Sequence, residues 1–494
     1  MSLRQSVRLV RKGNLVDIDL TSPTETLLDY LRLRERAVGT KEGCGEGDCG
    51  ACTVALGRLK NGKRVFQPVN ACIQLLGMAD GAEIVTVEDI GSASDPHPVQ
   101  DAMARHHGSQ CGFCTPGIVM SLFGLFHAET IHATRPVIND WLAGNLCRCT
   151  GYRPIVDAAQ AVLSGPRDDA FTETAAATEW LLASLAQDED LFCELDGGFF
   201  AAPRSMDALA RLYEEHPDAT LVAGATDVGL WITKALRDLP KIIWLGRVEG
   251  LDRVEASGEG LFLGAACTYA DAEAPLRAID PDLGELWRRI GSKQVRASGT
   301  VGGNIANGSP IGDTPPALIA LGATLELRQG ETVRHLPLQD FFLDYGRQDR
   351  GPGEFVTGIR IPKPASDRVF RCYKISKRYD QDISSVMAGF SFTLEDGRLS
   401  APIIAYGGMA GTPKRASAAE AALDGADLQD GARWQTAMQA LAQDFEPLSD
   451  HRASAGYRLD TAAALLARAL AEISGVDSAL TRIRGLRETE RTDG

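Results

Sequence analysis

No part of this 494-residue chain stays apolar for long. The most apolar run, Gly117–Phe126, is too short to span a bilayer. Positive charge is in deficit: 51 Lys and Arg against 66 Asp and Glu leave a formal net charge of −15. That excludes non-specific nucleic-acid binding and a basic membrane-surface role. Met1–Asn14 carries Arg and Lys but no continuous apolar stretch, so it does not read as a signal peptide, and a cytosolic chain is expected. Internal repeats and low-complexity tracts are absent. Cysteine is scarce in the C-terminal two thirds, where only Cys193, Cys267 and Cys372 occur, each in an apolar stretch that suits a small core residue.

What is there is an ordinary globular composition, 44% hydrophobic and 24% charged, with length for about three domains at roughly 150 residues each. Val7–Leu9 and Leu15–Leu20 alternate apolar and polar residues, as half-buried strands do, and Gly13-Asn14 marks a hairpin between them. Leu27, Leu28 and Leu31 recur at helical spacing. A Gly- and Cys-rich loop, Glu42–Cys52, precedes strand-like Thr53–Leu56, Val65–Val69 and Glu83–Val87. From Pro98 to Leu163 the pattern turns helical: Thr115-Pro116 predicts one helix start with a hydroxyl cap, and Tyr152-Arg153-Pro154 another. Gly165–Asp190 is polar and Ala/Thr/Glu-rich, suiting a linker with a locally helical Trp180–Leu185. Short strands then mix with helices such as Met206–Tyr213. Beyond Phe370, strand-like Gly389–Leu394 and Ile403–Tyr406 flank an Asp396-Gly397 turn, and Tyr457–Ile473 is amphipathic.

Eight of the eleven cysteines fall within the first 149 residues, at tight spacings. In a reducing compartment such clusters read as metal or catalytic sites before disulfides. Cys44-x4-Cys49-x2-Cys52, with Cys72 after nineteen intervening residues, is the spacing of plant-type [2Fe–2S] ferredoxins. Three thiolates must wrap a flat cluster core, and Gly43, Gly45, Gly47 and Gly50 allow that turn while freeing N–H groups for the sulfurs. Structural zinc sites pair short CxxC knuckles instead. The second set is Cys111-x2-Cys114, then thirty-two residues, then Cys147-x-Cys149, placed on helical segments. Read alone it also suits zinc. Beside the first set it reads as a second cluster, so that the two form an electron wire.

The strings Lys41–Thr53 (KEGCGEGDCGACT), Gln110–Gly117 (QCGFCTPG) and Asn145–Tyr152 (NLCRCTGY) resemble the two cluster loops of the molybdenum hydroxylase family, a likeness that covers essentially residues 1–163. The resemblance implies that Cys44, Cys49, Cys52 and Cys72 hold one [2Fe–2S] cluster, that Cys111, Cys114, Cys147 and Cys149 hold the other near the molybdenum centre, and that Gln110 contacts the pterin of the molybdenum cofactor.

A Rossmann fingerprint is lacking: Gly258-Glu-Gly260 followed by Gly264 has the wrong spacing and suits a hairpin. Two other glycine-bearing loops, Leu221–Gly229 and Gly299–Asp313, offer backbone N–H groups to a pyrophosphate. Together they resemble the FAD-binding domain of the xanthine dehydrogenase type within that family. By that resemblance Val222, Ala223, Gly224, Ala225, Thr226 and Asp227, with Thr300, Gly303 and Asn304, hold the dinucleotide; Asp313 contacts its ribityl or adenosine side, and Lys374 reaches the flavin. Read alone, Asp313 is a turn residue before Pro315-Pro316 and Lys374 a surface charge. Ile290 stands where many relatives place an aromatic against the flavin ring. Arg378–Asp382 matches an acidic loop that flanks the nicotinamide site, with Tyr379, Asp380 and Asp382 as NAD contacts, or is a solvated loop.

The expected architecture is multidomain α+β: a β-grasp ferredoxin-like domain over 1–90, an all-helical [2Fe–2S] domain over 91–165, a linker over 166–190, an α+β FAD-binding domain over 191–368 and an α+β C-terminal flavoprotein subdomain over 369–494. Clusters carry one electron and NAD+ accepts two, so FAD is the natural converter. Nothing resembles a molybdenum-binding domain. The family resemblance therefore implies a separate large molybdopterin subunit as partner, two copies of each chain in a heterotetramer, no nucleic acid and no membrane, and oxidation of hypoxanthine and xanthine to urate with NAD+ as acceptor. Alternatives are the same subunit of an aldehyde- or N-heterocycle-oxidising relative, a free-standing electron-transfer flavoprotein, and a non-redox, metal-stabilised binding protein.

Overall fold

The computed structural model describes residues 3–129, 133–186 and 189–482, so two residues of the predicted linker and the last twelve of the predicted C-terminal subdomain lie outside the described residues. The chain divides into two compact units: Met1–Glu249 with Gly291–Gly299, and Gly250–Ile290 with Thr300–Gly494.

The first unit begins with a five-stranded sheet in the order Asn14–Ile18, Val7–Arg11, Glu83–Val85, Thr53–Lys60, Lys63–Asn70. Val7–Arg11 runs parallel to Glu83–Val85, and the remaining pairs are antiparallel. The hairpin turns at Lys12-Gly13, both at positive φ, so Asn14 is a strand residue. Thr26 caps the helical turn Leu27–Asp29, which continues as one wider turn, Tyr30–Arg34, and sets Leu27, Leu28 and Leu31 against Val7, Leu9, Val54 and Leu56.

Four helices follow: Pro98–Arg105, Thr115–Phe126, Arg135–Leu142 and Arg153–Leu163. Every residue from Gly117 to Phe126 is buried, which explains why the most apolar run in the chain is a helix surrounded by others. Its cap is Cys114, not Thr115, whose hydroxyl donates to Ser109 instead. The segment of linker-like composition is helical over Ala170–Glu173 and Ala175–Leu185, and its Leu182 and Leu185 pack on Val10. A four-stranded sheet completes the unit, in the order Leu191–Leu195, Gly198–Ala202, Lys241–Trp244, Thr220–Val222, and its Phe200, Val222, Ile242 and Trp244 join the ferredoxin-like core.

The second unit holds an antiparallel sheet ordered Val254–Ser257, Gly260–Gly264, Phe355–Pro362, Thr324–Gln329, Thr332–Pro337. Gly258 and Glu259 form the turn of its first hairpin. A second sheet runs Arg368–Ile375, Val386–Glu395, Arg398–Gly407, Lys414–Arg415, covered by the helices Gly431–Asp444 and Ala455–Ile473. The fully buried helix Thr314–Ala320 lies so close to this sheet that a Cβ on Gly389 would come within 2.6 Å of the Pro316 carbonyl. Among the described residues no helix is long and apolar enough to cross a membrane.

One buried polar cluster ties the segment after the four helices back onto them. Asp169 accepts from His97 Nε2 at 2.9 Å and His127 Nε2 at 3.0 Å, and its other oxygen caps the turn beginning at Ala170. His97 Nδ1 accepts from the Val99 amide, so Nε2 carries the proton and offers no lone pair to a metal. The Asp169 carboxyl lies below the usual range: burial opposes ionisation, but the hydrogen bonds from His127 and His97 outweigh it. A depressed folded-state value means stability that is present above the ordinary Asp range and is lost as pH falls towards the folded value. Asp169→Ala is expected to cost about 3 kcal/mol in denaturant titration at neutral pH. The gap from the parent protein should hold down to roughly pH 4 and close below it.

Candidate metal and flavin sites

The first cysteine loop is wound by glycines. Gly45, Gly47 and Gly50 have φ of +66°, +78° and +67°, where other residues are strained. A Cβ on Gly43 would meet Cys49 Sγ at 2.7 Å. With these turns Cys44 contacts both Cys49 and Cys72, and Cys72 contacts Cys52, which closes a set of four thiols. The backbone N–H groups of Glu46, Asp48 and Cys49 each donate to Cys44 Sγ at 3.4 Å, and that of Cys44 donates to Cys49 Sγ at 3.3 Å. Hydrogen bonds from Cys49 and Cys72 hold the Cys44 thiol far below its ordinary range, while Cys49 and Cys72 are driven up. Cys52 and Cys72 are buried, Cys44 and Cys49 half-buried. Asn70 Nδ2 donates to the Gly47 carbonyl at 2.8 Å, and Lys234 donates to the Cys44 carbonyl while pairing with Glu46 at 3.7 Å.

The second set does not sit on helices as its flanking patterns predict. Cys111 and Cys114 lie in the loop that leads into Thr115–Phe126, and Cys147 and Cys149 in the loop before Arg153–Leu163. A thiol needs freedom of approach from several directions, which a regular helix face does not give. Cys149 pairs with Cys111, and Cys147 with Cys114, bringing the four together. Burial, then Cys147 and Cys111, push the Cys114 thiol up to about 12. Cys147 moves down: burial opposes its thiolate, but Thr150 donates to it from both hydroxyl and amide. Tyr152 stands at φ +68°, a strained conformation for an aromatic residue, held because its hydroxyl accepts from the Cys147 amide at 2.8 Å and its own amide reaches Thr150 Oγ1. Cys111 and Cys149 are exposed, as are Gln110, Phe113 and Leu146 beside them.

Thus each set offers four sulfurs, and the first adds a row of N–H donors aimed at sulfur, the donor chemistry a [2Fe–2S] cluster uses. Thr150, Tyr152, Asn70 and Lys234 escape sequence reasoning, although the first two stand inside the NLCRCTGY string. A hydroxyl within three residues of Cys149 was the available signal.

The residues expected at the flavin fall in both units. In the first, Val222 ends a strand, Ala225 has φ +57°, and a Cβ on Gly224 would meet the Ser298 carbonyl at 1.8 Å. Burial lifts the Asp227 carboxyl above its usual range, against the pull of Trp231. In the second, Thr300 caps the helix Val301–Asn307 through the Gly303 amide, and Asn304 Oδ1 accepts from Thr314 Oγ1 at 2.6 Å. Asp313 and Lys374 form a buried ion pair with each other, joined by Ser384. Lys374 is therefore not the surface charge that its local sequence allows, while Asp313 stands in the bend before the helix Thr314–Ala320. Asp313, Lys374 and Ser384 thus share one buried polar cluster, and Asn304 bonds Thr314, the residue after Asp313. Ile290 is half-buried, its amide bonded to Trp287 O. Arg288 and Arg289 hold the Arg378–Asp382 loop: Tyr379 Oη donates to Glu285 and accepts from Arg288 at 2.8 Å, and Arg289 lies 4.6 Å over its ring. Asp380 stands 4.0 Å from Arg288. Asp382 is held low: burial works against its charge, but the Arg378 amide and guanidinium outweigh it.

Four family models match the chain. Residues 11–74 match the 2Fe-2S iron-sulfur cluster binding domain, 86–160 the [2Fe-2S] binding domain, 195–364 the FAD binding domain in molybdopterin dehydrogenase, and 371–473 the CO dehydrogenase flavoprotein C-terminal domain. The chain is 31% identical over 502 residues to the xanthine dehydrogenase of Emericella nidulans, covering 89% of this chain and 36% of that protein. It is 34% identical over 440 residues to the xanthine dehydrogenase/oxidase of Mus musculus, covering 78% and 33%. It thus spans about a third of the length of the curated relatives it matches. Among solved structures, a Cu,Mo-CO dehydrogenase matches at 28% identity and TM-score 0.52, over 55% of this chain and 94% of that one. Quinoline 2-oxidoreductase from Pseudomonas putida 86 matches at 26% and 0.50, over 55% and 94%. The chain therefore belongs to the molybdenum hydroxylases, and carries that family's two [2Fe–2S] domains and its FAD-binding domain. Those domain matches leave the zinc reading of the second cysteine set without support.

Two substitutions test the local geometry. Tyr152→Phe removes the acceptor of the Cys147 amide and should cost about 1–2 kcal/mol, with faster hydrogen exchange at that amide. Lys374→Met leaves the Asp313 carboxylate buried without its cation and should cost about 3–5 kcal/mol in denaturant titration, much of it regained in Lys374→Met/Asp313→Leu.

Proposed function

We propose that this chain is the iron–sulfur and FAD subunit of a cytosolic xanthine dehydrogenase. It passes electrons from a molybdenum centre on a large partner subunit through two [2Fe–2S] clusters to FAD and then NAD+, as hypoxanthine and xanthine become urate. One observation carries the reading: two closed four-thiol sets precede a flavin domain in a single chain that is 31–34% identical to xanthine dehydrogenases across most of its length.

When bound, the clusters carry single electrons and the flavin exchanges one or two, which couples them to a hydride acceptor. Cys44, Cys49, Cys52 and Cys72 would hold one cluster, and Cys111, Cys114, Cys147 and Cys149 the other. The amides of Glu46, Asp48 and Cys49 stabilise negative charge on the Cys44 sulfur. Gln110, exposed beside Cys111, is available to the partner's pterin. Val222–Asp227, Thr300, Gly303 and Asn304 would bind the dinucleotide, with Asp313 and Lys374 at its polar side, Ile290 near the ring, and Tyr379, Asp380 and Asp382 flanking the nicotinamide. A heterotetramer of two small and two large chains is the proposed assembly.

The likeness to CO dehydrogenase and quinoline 2-oxidoreductase favours a second reading, in which the same electron path serves a partner with another substrate pocket. Dithionite-reduced protein should give two distinct low-temperature EPR signals, with about four irons and one FAD per chain. A silent spectrum with stoichiometric zinc overturns the redox reading. The chain alone should oxidise NADH with an artificial acceptor and leave purines untouched. In the native assembly, xanthine-dependent NAD+ reduction supports the first reading, and turnover of a quinoline or aldehyde without xanthine the second.

A further inference from the structure

The two cysteine loops touch. A Cβ on Gly50, the residue after Cys49, would stand 2.0 Å from the Gly144 carbonyl, and one on Gly117 would stand 2.0 Å from the Gly50 carbonyl. Into this contact the Leu146 amide, one residue before Cys147, donates to the Cys49 carbonyl at 3.0 Å. One hydrogen bond thus joins a cysteine of the first set to the neighbour of a cysteine of the second.

Around it lies a buried polar network with no charge. Asn145 Nδ2 donates to the Gly50 carbonyl at 3.1 Å, and Asn145 Oδ1 accepts from Ser121 Oγ at 2.6 Å. Gln294 Nε2 donates to Asn145 Oδ1 at 2.9 Å and Ser121 Oγ at 3.0 Å, and lies 3.3 Å from Thr53 Oγ1. All four side chains are at most 2% exposed. Gln294 arrives on Gly291–Gly299, a segment grouped with the first unit and anchored there by the Arg296–Asp140 ion pair at 3.0 Å and by Lys293 over Trp141 at 4.7 Å. Gln294 Oε1 is buried without a partner among the described residues. An orphaned amide oxygen costs stability, and an apolar side chain of the same size would avoid that cost. The position therefore uses the donor side of the amide.

We infer that Gln294 is a positioning residue for electron passage between the two clusters. Through Asn145 and Ser121 it fixes the second cysteine loop against the first, so that the Cys49 carbonyl and the Leu146 amide keep one geometry. This rests on the electron-transfer reading above and adds a residue outside both cysteine domains to it.

The test uses the native holo-assembly and three proteins: the parent, Gln294→Met, which keeps volume and removes the donors, and Asp140→Asn, which weakens the anchor alone. Iron content and thermal stability are measured beside the spin–spin splitting of the fully reduced clusters and the freeze-quench rate of electron equilibration between them. Gln294→Met should keep its iron, broaden the splitting and slow equilibration about tenfold. Asp140→Asn should lose thermal stability alone. Parent-like splitting and rate in Gln294→Met, with lowered thermal stability, overturn the inference and leave a packing role. Hydrogen exchange in the parent protein decides the matter if Gln294→Met fails to assemble. The Leu146 amide should be strongly protected although its side chain is exposed, and exchange at the rate of an open loop overturns the lock. A parent lacking two cluster signals instead defeats the electron-transfer reading and leaves the lock itself to the exchange measurement.

Discussion

Four thiols brought into contact set the terms for the first unit. Cysteine has a short side chain, so the sulfurs meet only if the backbone itself curls around them. Ordinary residues resist the left-handed turns this requires, and glycines at 45, 47 and 50 remove the resistance. The same lack of a side chain at Gly50 and Gly117 lets the two loops come into backbone contact, and at Gly144 it makes room for Gln294. Once the backbones are that close, the polar groups between them are cut off from water and must satisfy one another, which Asn145, Ser121, Thr53 and the donor side of Gln294 do.

The two sets differ in what surrounds them. The first is steadied by N–H donors, by Asn70 and by Lys234, with two of its cysteines buried. The second depends on hydroxyls, those of Thr150 and Tyr152, and shows Cys111 and Cys149 at the surface. The second set is thus the more open of the two, although Cys44 and Cys49 of the first are only half-buried. In the second unit the buried Asp313–Lys374 pair follows a related economy, since each charge is tolerable only because the other is there.

Much of this was legible in the sequence. Cysteine spacing marked both sets, and adjacent glycines the first, because ligand geometry acts over a few residues. Alternation and helical recurrence placed the ferredoxin-like strands and the helices Met206–Glu215 and Ala455–Ile473 to within a few residues. The misses share a cause. The second cysteines lie in loops rather than on helices, and Cys114 rather than Thr115 caps its helix, because tertiary demand on the sulfur overrode local propensity. The Ala/Thr/Glu-rich segment read as a linker with helix only over Trp180–Leu185, since only Thr178, Leu182 and Leu185 of its longer helix are buried. Gln294 was invisible because no local pattern reports a partner 241 residues away.

That separation has a consequence for biosynthesis. The chain leaves the first unit at Glu249 and returns to it only at Gly291. At typical synthesis rates, the interval between making Thr53 and making Gln294 is on the order of tens of seconds. Throughout it the cysteine loops exist without the amide that later seals them. Until the Gly291–Gly299 segment leaves the ribosome, Asn145, Ser121 and Thr53 stand without the hydrogen bonds that Gln294 later makes to them.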